Sequence, residues 1–297
     1  MSQPIQATII LPTTADRGLL LPFCIGSIQQ QTLQAFELFI IGDGVDESTR
    51  AVIKGLMRQD DRIHFFDHPK HARRGEVYRH EALQQARGVF VAYICDRDLW
   101  LPSHLEAINR LIQKATMVST NFYYVRRNQK LILPYLPISP KKAARNILSA
   151  TAHRLDFYHQ LPYGWRTTPA DQPTDRYMWD QLLAHPDCRV AVVWQPTLLY
   201  FKRNDHPGWP TIKRYEELAH WNTLMQSPMD LQKATDQAMA HALYERNGYK
   251  RSWLLIRGKR VIELPRWFKS KLQQWLKFSA DPLEEESWLP DPKEPDY

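Results

Sequence analysis

Cysteine is scarce and scattered. Cys24, Cys95 and Cys188 are the three thiols in 297 residues. An odd count with no Cys-x-x-Cys pair supports neither a disulfide framework nor a zinc ribbon, so all three are expected to be reduced and buried. Long apolar runs are missing as well, and none approaches the roughly 20 residues that a membrane-spanning helix needs. The opening stretch, MSQPIQATIILPTT, has no basic n-region and no apolar h-region, so no secretory signal is read and the expected location is the cytoplasm. No internal repeat is found. With 43 % hydrophobic and 24 % charged residues, the composition is that of a folded soluble chain, which excludes disordered and collagen-like classes.

Positive charge is in excess, but unevenly. The formal net charge is +7, and residues 250–277 carry nine basic side chains against the single acid Glu263, whereas residues 278–297 carry seven acids and one Lys. An excess of this kind points to an anionic partner: a nucleotide, a nucleic acid or a membrane surface.

Short β-rich runs alternate with helical spacing in the first third. Strands are expected at 7–11, 36–41, 63–66 and 89–94, and helices at 18–31, 76–86 and 102–114, the pattern of βαβ units around a mostly parallel sheet. Further strands are expected at 117–126, 130–133, 189–194 and 197–201, with a short helix at 175–184 and mostly helix beyond residue 212. In open sheets of this kind ligands bind past the carboxyl ends of the strands. The segments there are Pro12-Thr13-Thr14, Gly42-Asp43-Gly44 and Cys95-Asp96-Arg97-Asp98, two of them acidic. Two carboxylates at i and i+2 on a strand-end loop can converge on one hard divalent cation and leave positions for water and phosphate oxygens. An ordinary acidic turn is the plainer alternative for the tripeptide alone.

The surrounding residues decide for the first reading. Thr8 to Thr13, Ser27 to Thr32, Phe36 to Gly44 and Ala86 to Pro102 stand in an order and spacing that resemble the family 2 glycosyltransferases, which have the GT-A fold. The resemblance is close over about the first 110 residues and looser to about residue 200. It implies an α/β GT-A nucleotide-sugar-binding fold over residues 1–226, followed by a helical basic C-terminal extension (227–280) and an acidic tail (281–297). It also implies an inverting transfer of a sugar from a nucleoside diphosphate donor, a UDP-sugar by family habit, with Mn²⁺ or Mg²⁺ as cofactor. On the matching positions, Asp43 would accept from the uracil ring, Pro12 and Thr13 would border the base, Asp96 would hold the ribose, Asp98 would ligate the metal, and Arg79 and Arg97 would lie along the nucleotide. Three positions depart from the family pattern: Thr14 replaces an aromatic residue, Gly42 replaces the first acid of a pair, and Arg97 sets a cation between two acids.

Inversion needs a general base facing the acceptor hydroxyl. In the family this is a carboxylate at a helix start downstream of the acidic motif, and Asp175 in Thr174-Asp175-Arg176-Tyr177 matches it, with Asp180 and Asp171 as fallbacks. The alternative for Asp175 is a helix cap or dipole partner. Trp165 could stack on an acceptor sugar with Arg166 and His153 beside it, or these could be core and rim residues. His64, Asp67, His68 and His71 look like a zinc set, but strand and loop placement holds them on no common face, so exposed loop histidines are expected. Phe268, Leu272, Trp275 and Leu276 give the basic segment an amphipathic helical spacing, which suits either an anionic membrane surface or packing on the domain. The acceptor expected is a glycan, a lipid-linked sugar or a protein. The rivals are an inactive GT-A scaffold at a membrane and a nucleic-acid-binding protein, the latter leaving the strand-end acids unexplained.

Overall fold

The computed structural model describes residues 4–134, 139–201, 208–250, 252–256 and 259–264. Four strands, β1 (Ala7–Thr13), β2 (Phe36–Asp43), β3 (Ile63–His68) and β4 (Phe90–Tyr93), pair in parallel in the order β3-β2-β1-β4. The connections are α1 (Leu21–Gln29), α2 (Glu47–Met57) and α3 (Glu76–Leu83). Side chains alternate across the sheet with the period of two that strands impose. Ile9, Leu11, Leu38 and Ile40 pack with Cys24, Ile25, Ile28 and Ile53 on one face, while Ile10, Phe39, Ile41 and Val91 pack with Ala82 and Leu83 on the other.

Beyond β4 the sheet turns mixed. It continues through β5 (Leu99–Trp100), β6 (Met117–Val125), β7 (Leu131–Ile132), β8 (Thr151–Arg154) and β9 (Val190–Tyr200), in the order β4-β8-β6-β9-β5 with β7 on β6. β8 runs antiparallel to both β4 and β6, and β6 runs parallel to β9. The parallel arrangement expected from the sequence thus holds for β1 to β4, and in the second half every pairing but that of β6 with β9 is antiparallel. α4 (His104–Ile112) covers the first face. The short α5 (Pro140–Ala143) and α6 (Leu155–Tyr158), with α7 (Thr174–Ala184), border the second. The expected strands at 189–194 and 197–201 are one strand, with register shifts against β6 around Asn121.

α8 (Thr211–Met225) and α9 (Pro228–Lys250) place Leu218, Trp221 and Ala238 against Leu99, Tyr123, Leu199 and Phe201. The expected helical continuation stops there, because β10 (Ser252–Ile256) and β11 (Lys259–Leu264) form an antiparallel pair. Alternating Ser-Trp-Leu-Leu-Ile and Arg-Val-Ile-Glu-Leu, rich in β-branched and aromatic residues, favour strands over helix. The proposed amphipathic stretch around Phe268–Leu276 and the acidic tail lie outside the described residues. No helix among the described residues is long and apolar enough to cross a membrane. All three cysteines are free, and Cys24 and Cys188 are buried.

Candidate active site

The parallel register brings strand ends to one edge. Thr13 lies opposite Gly42, and Asp43 opposite His68, while the pairing of β1 with β4 ends at Ile10 and Tyr93. Pro12 therefore sits where β4 no longer asks β1 for an amide, which is where a strand tolerates proline. The Thr13 hydroxyl donates to Asp96 Oδ2 at 3.0 Å, and Arg17 Nε lies 3.4 Å from the same oxygen. Asp43 is buried, its Oδ1 accepting from the His71 amide at 2.6 Å and its Oδ2 engaged by the Lys70 ammonium. Two glycines make this possible. Gly44 (φ +69°) and Gly75 (φ +64°) take left-handed conformations, and a Cβ at Gly44 would stand 2.6 Å from Lys70 Cβ while one at Gly75 would stand 3.2 Å from Asp43 Cβ.

The three residues Asp96, Arg97 and Asp98 part ways. Asp98 is fully buried, and both its oxygens are taken: Oδ1 accepts from the Phe201 amide at 3.0 Å, and Oδ2 from the Ser149 hydroxyl. Burial pushes its carboxyl up to about 6. Asp98, the expected metal ligand, thereby ties β9's end to the 3₁₀ turn Leu148–Ala150. Arg97 is partly buried, with Nε donating to the Phe201 carbonyl at 3.0 Å.

Arg79, on the inward face of α3, is nearly fully buried. Its Nη2 donates to the Arg74 carbonyl at 3.1 Å and its guanidinium lies 4.6 Å over the Trp165 ring, yet Nε and Nη1 have no hydrogen-bond partner. Asp175 stands in the first turn of α7. Pro173 holds the N-cap position without a side-chain bond, so Asp175 is not the cap. Burial raises the Asp175 carboxyl, opposed by the charges of Arg79, Arg74 and Arg97. Asp180 is taken by Arg145 at 2.7 Å, and Asp171 is exposed.

The acceptor set does not converge. Trp165 is buried, its Nε1 donating to the Tyr93 hydroxyl at 2.9 Å, which makes it a wall behind Arg79 rather than a stacking platform. His153 is buried in β8 against Tyr93 at 2.7 Å, with its ring pushed down to about 4 by burial. Arg166 lies outside, stacked on Tyr163 and bonded to the Tyr177 hydroxyl. Apolar neighbours on facing strands and helices capture the Trp and the His, and sequence spacing alone does not reveal that. The histidine set also disperses: His68 stacks on Tyr78 at 4.0 Å and His71 accepts from the Arg73 amide.

Sequence reasoning missed the loop after β3. Lys70 and His71 hold Asp43, and Arg73 donates to the carbonyls of Thr168 (3.1 Å), Pro169 (3.0 Å) and Gln172 (3.3 Å). Glu76, fully buried, accepts from the Arg74 amide at 3.0 Å and the Thr168 amide at 3.4 Å. The same strand-end rule that selected Thr13, Asp43 and Asp96 applies to β3, and the run Lys70-His71-Ala72-Arg73-Arg74 was the signal.

A divalent cation that bridges a diphosphate takes one or two carboxylates from the protein and completes its shell with phosphate oxygens and water. Asp96 and Asp98 are the carboxylates at this strand end, Asp96 meeting Thr13 and Arg17 and Asp98 meeting Ser149 and Phe201, and no group of three His, Cys, Asp or Glu side chains able to hold a metal occurs among the described residues.

A sequence profile described as Glycosyl transferase family 2 matches residues 8–165. A Campylobacter jejuni protein named GalNAc(5)-diNAcBac-PP-undecaprenol beta-1,3-glucosyltransferase is 32 % identical over 110 residues, which is 37 % of this chain and 34 % of that protein, so the match spans about a third of the relative. Two solved structures share the fold at low identity. One is S. aureus TarS 1–349 in complex with UDP-GlcNAc (14 % identity, TM-score 0.55, 74 % of this chain and 66 % of that one). The other is the mannosyltransferase PcManGT from Pyrobaculum calidifontis in complex with GDP-Man and Mn²⁺ (17 %, TM-score 0.50, 82 % and 76 %). The architecture is the GT-A fold.

Proposed function

The chain belongs to glycosyl transferase family 2, and from that membership we propose that it transfers a sugar, with inversion, from a nucleoside diphosphate donor to an acceptor hydroxyl. The observation that carries this reading is Arg79. A buried guanidinium with two unpartnered nitrogens beside a raised carboxylate is costly unless an anion arrives to use it. A diphosphate is the anion whose geometry suits a guanidinium fork.

In this reading Asp43 accepts from the nucleobase and shares its Oδ2 with Lys70, Asp96 receives a ribose hydroxyl, and Arg79 faces the diphosphate. Asp175 takes the proton of the acceptor hydroxyl. The acceptor oxygen bonds to the anomeric carbon from the face opposite the diphosphate, and the bond to the diphosphate oxygen breaks with its electron pair leaving on the nucleotide. Burial supports the assignment, since a carboxyl held above its ordinary range is a stronger base toward an alcohol. The UDP-GlcNAc bound to TarS supports a UDP-sugar donor, and the name of the Campylobacter relative supports a lipid-linked acceptor. The basic residues at 250–277 support a seat at an anionic membrane surface.

The test is a panel of UDP-, GDP-, dTDP- and CMP-sugars, read by thermal stabilisation and by slow hydrolysis without acceptor. One donor should raise the melting temperature and release its nucleotide. Indifference to every donor would overturn the reading.

A further inference from the structure

The segment from Lys70 to Glu76 makes different contacts on its two sides. Toward β2 it uses Lys70 and backbone groups. The His71 amide donates to Asp43 Oδ1 at 2.6 Å, the Arg73 amide donates to His71 Nδ1 at 3.0 Å, and the Arg73 carbonyl accepts from Lys70 Nζ at 3.4 Å. Toward α7 it uses the side chains of Arg73 and Glu76. One guanidinium, that of Arg73, donates to the carbonyls of Thr168, Pro169 and Gln172. Glu76 Oε1 accepts from the Thr168 amide at 3.4 Å and from the Thr174 hydroxyl at 3.5 Å. Thr174 opens α7, and Asp175 is the next residue. Residues 166–173, which these two side chains grip, form neither helix nor strand, and Pro173 caps α7 without a side-chain bond. A helix start with no cap of its own takes its position from whatever holds the chain in front of it. A planar fork bonded to three carbonyls fixes that chain in direction as well as in place.

We propose that Arg73 and Glu76 are positioning residues for the general base: they tie the start of α7, and with it Asp175, to the loop that backs Asp43. The proposal rests on the transferase reading above, with Asp175 as its base, and deepens it. Proton transfer needs hydrogen-bond contact between the carboxylate and the attacking oxygen, so a displacement of about 1 Å costs a large part of the rate. Among the described residues, the hydrogen bonds of the Arg73 side chain all go to the α7 side. Its removal therefore loosens Asp175 while the contacts of Asp43 with Lys70 and the His71 amide stay in place.

Arg73→Gln in the full chain tests this, read by hydrolysis of the sugar nucleotide that the donor panel selects, with water in the acceptor's place. Its kcat should fall by about tenfold or more while KM for that donor moves by less than about threefold. Calorimetric titration with the matching free nucleotide should still find close to one site per chain, which separates a displaced base from a misfolded fraction. In an Asp175→Asn background the same substitution should lower turnover by less than about twofold, because a residue that acts through Asp175 then has nothing to act on. Arg73→Lys keeps the cation but loses the fork, so it should lose less, and it provides the same comparison where Arg73→Gln does not fold. An unchanged kcat, a loss that falls on KM, or an equal loss in both backgrounds would overturn the proposal and leave the transferase reading standing. Wild-type hydrolysis by Asp175→Asn would remove the base assignment and the proposal together. Hydrolysis of no donor by the wild type would overturn the transferase reading as well.

Discussion

Arg79 is buried with part of its hydrogen-bonding capacity unmet. Its guanidinium packs over Trp165, and one nitrogen reaches the Arg74 carbonyl, but Nε and Nη1 are left without partners in the protein alone. Arg79→Gln removes an unpaired buried charge, so the stability change measured by denaturant unfolding should stay within about 1–2 kcal/mol. Nucleotide affinity should fall by about tenfold. The same change acts on Asp175. Burial raises that carboxyl and the nearby cations lower it. A base works ionised, so kcat/KM should decline as pH drops through the Asp175 value, at a pH above the ordinary carboxylate range near about 4. Removing the Arg79 charge raises the carboxyl further, and the acid limb of the profile should move to higher pH. A limb that stays in place would detach Arg79 from the base.

At the scale of elements, short polar anchors fix the site loops. Asp98 joins the β4 loop to the end of β9 and to Ser149, whose Oγ also accepts from the Cys95 amide at 2.9 Å. Asp98→Ala leaves the Phe201 amide and the Ser149 hydroxyl unpaired in a buried place and should cost about 2–4 kcal/mol. Asp98→Asn can accept from the amide and donate to the hydroxyl, so it should cost about 1 kcal/mol or less by denaturant midpoint. Equal losses would show that charge, not hydrogen bonding, holds the loop. The four parallel strands and the helices α1 and α3 are legible from apolar periodicity because each buries a whole face, whereas α2 buries only Thr49 and Ile53 and is not read from it. The two-residue β5 and the four-residue β8 are not, since strands that short carry no period and form only because long neighbours offer them a free edge. Among site residues, Thr13, Asp43, Arg79, Asp96 and Asp175 follow from strand-end position and family likeness. Those that hold them, Arg17, Lys70, Glu76 and Ser149, come from distant loops whose meeting depends on tertiary packing.

At the scale of the molecule, the charge of +7 divides into a mildly basic domain, a strongly basic segment at 250–277 and an acidic end. The antiparallel pair β10–β11 occupies the first half of that segment. Such a concentration of Lys and Arg should bring the full chain down with phosphatidylglycerol-containing vesicles at low salt and not with phosphatidylcholine alone, and about 0.5 M salt should release it. Failure to bind anionic vesicles at low salt would remove the membrane seat while leaving the catalytic reading untouched. The most direct test of the whole account compares wild type with Asp175→Asn, each given the stabilising sugar nucleotide and an acceptor, by following nucleoside diphosphate release alongside nucleotide affinity. The account predicts that turnover falls by about 10²-fold or more while affinity for the nucleotide stays nearly the same. Wild-type turnover in the Asn variant would contradict it.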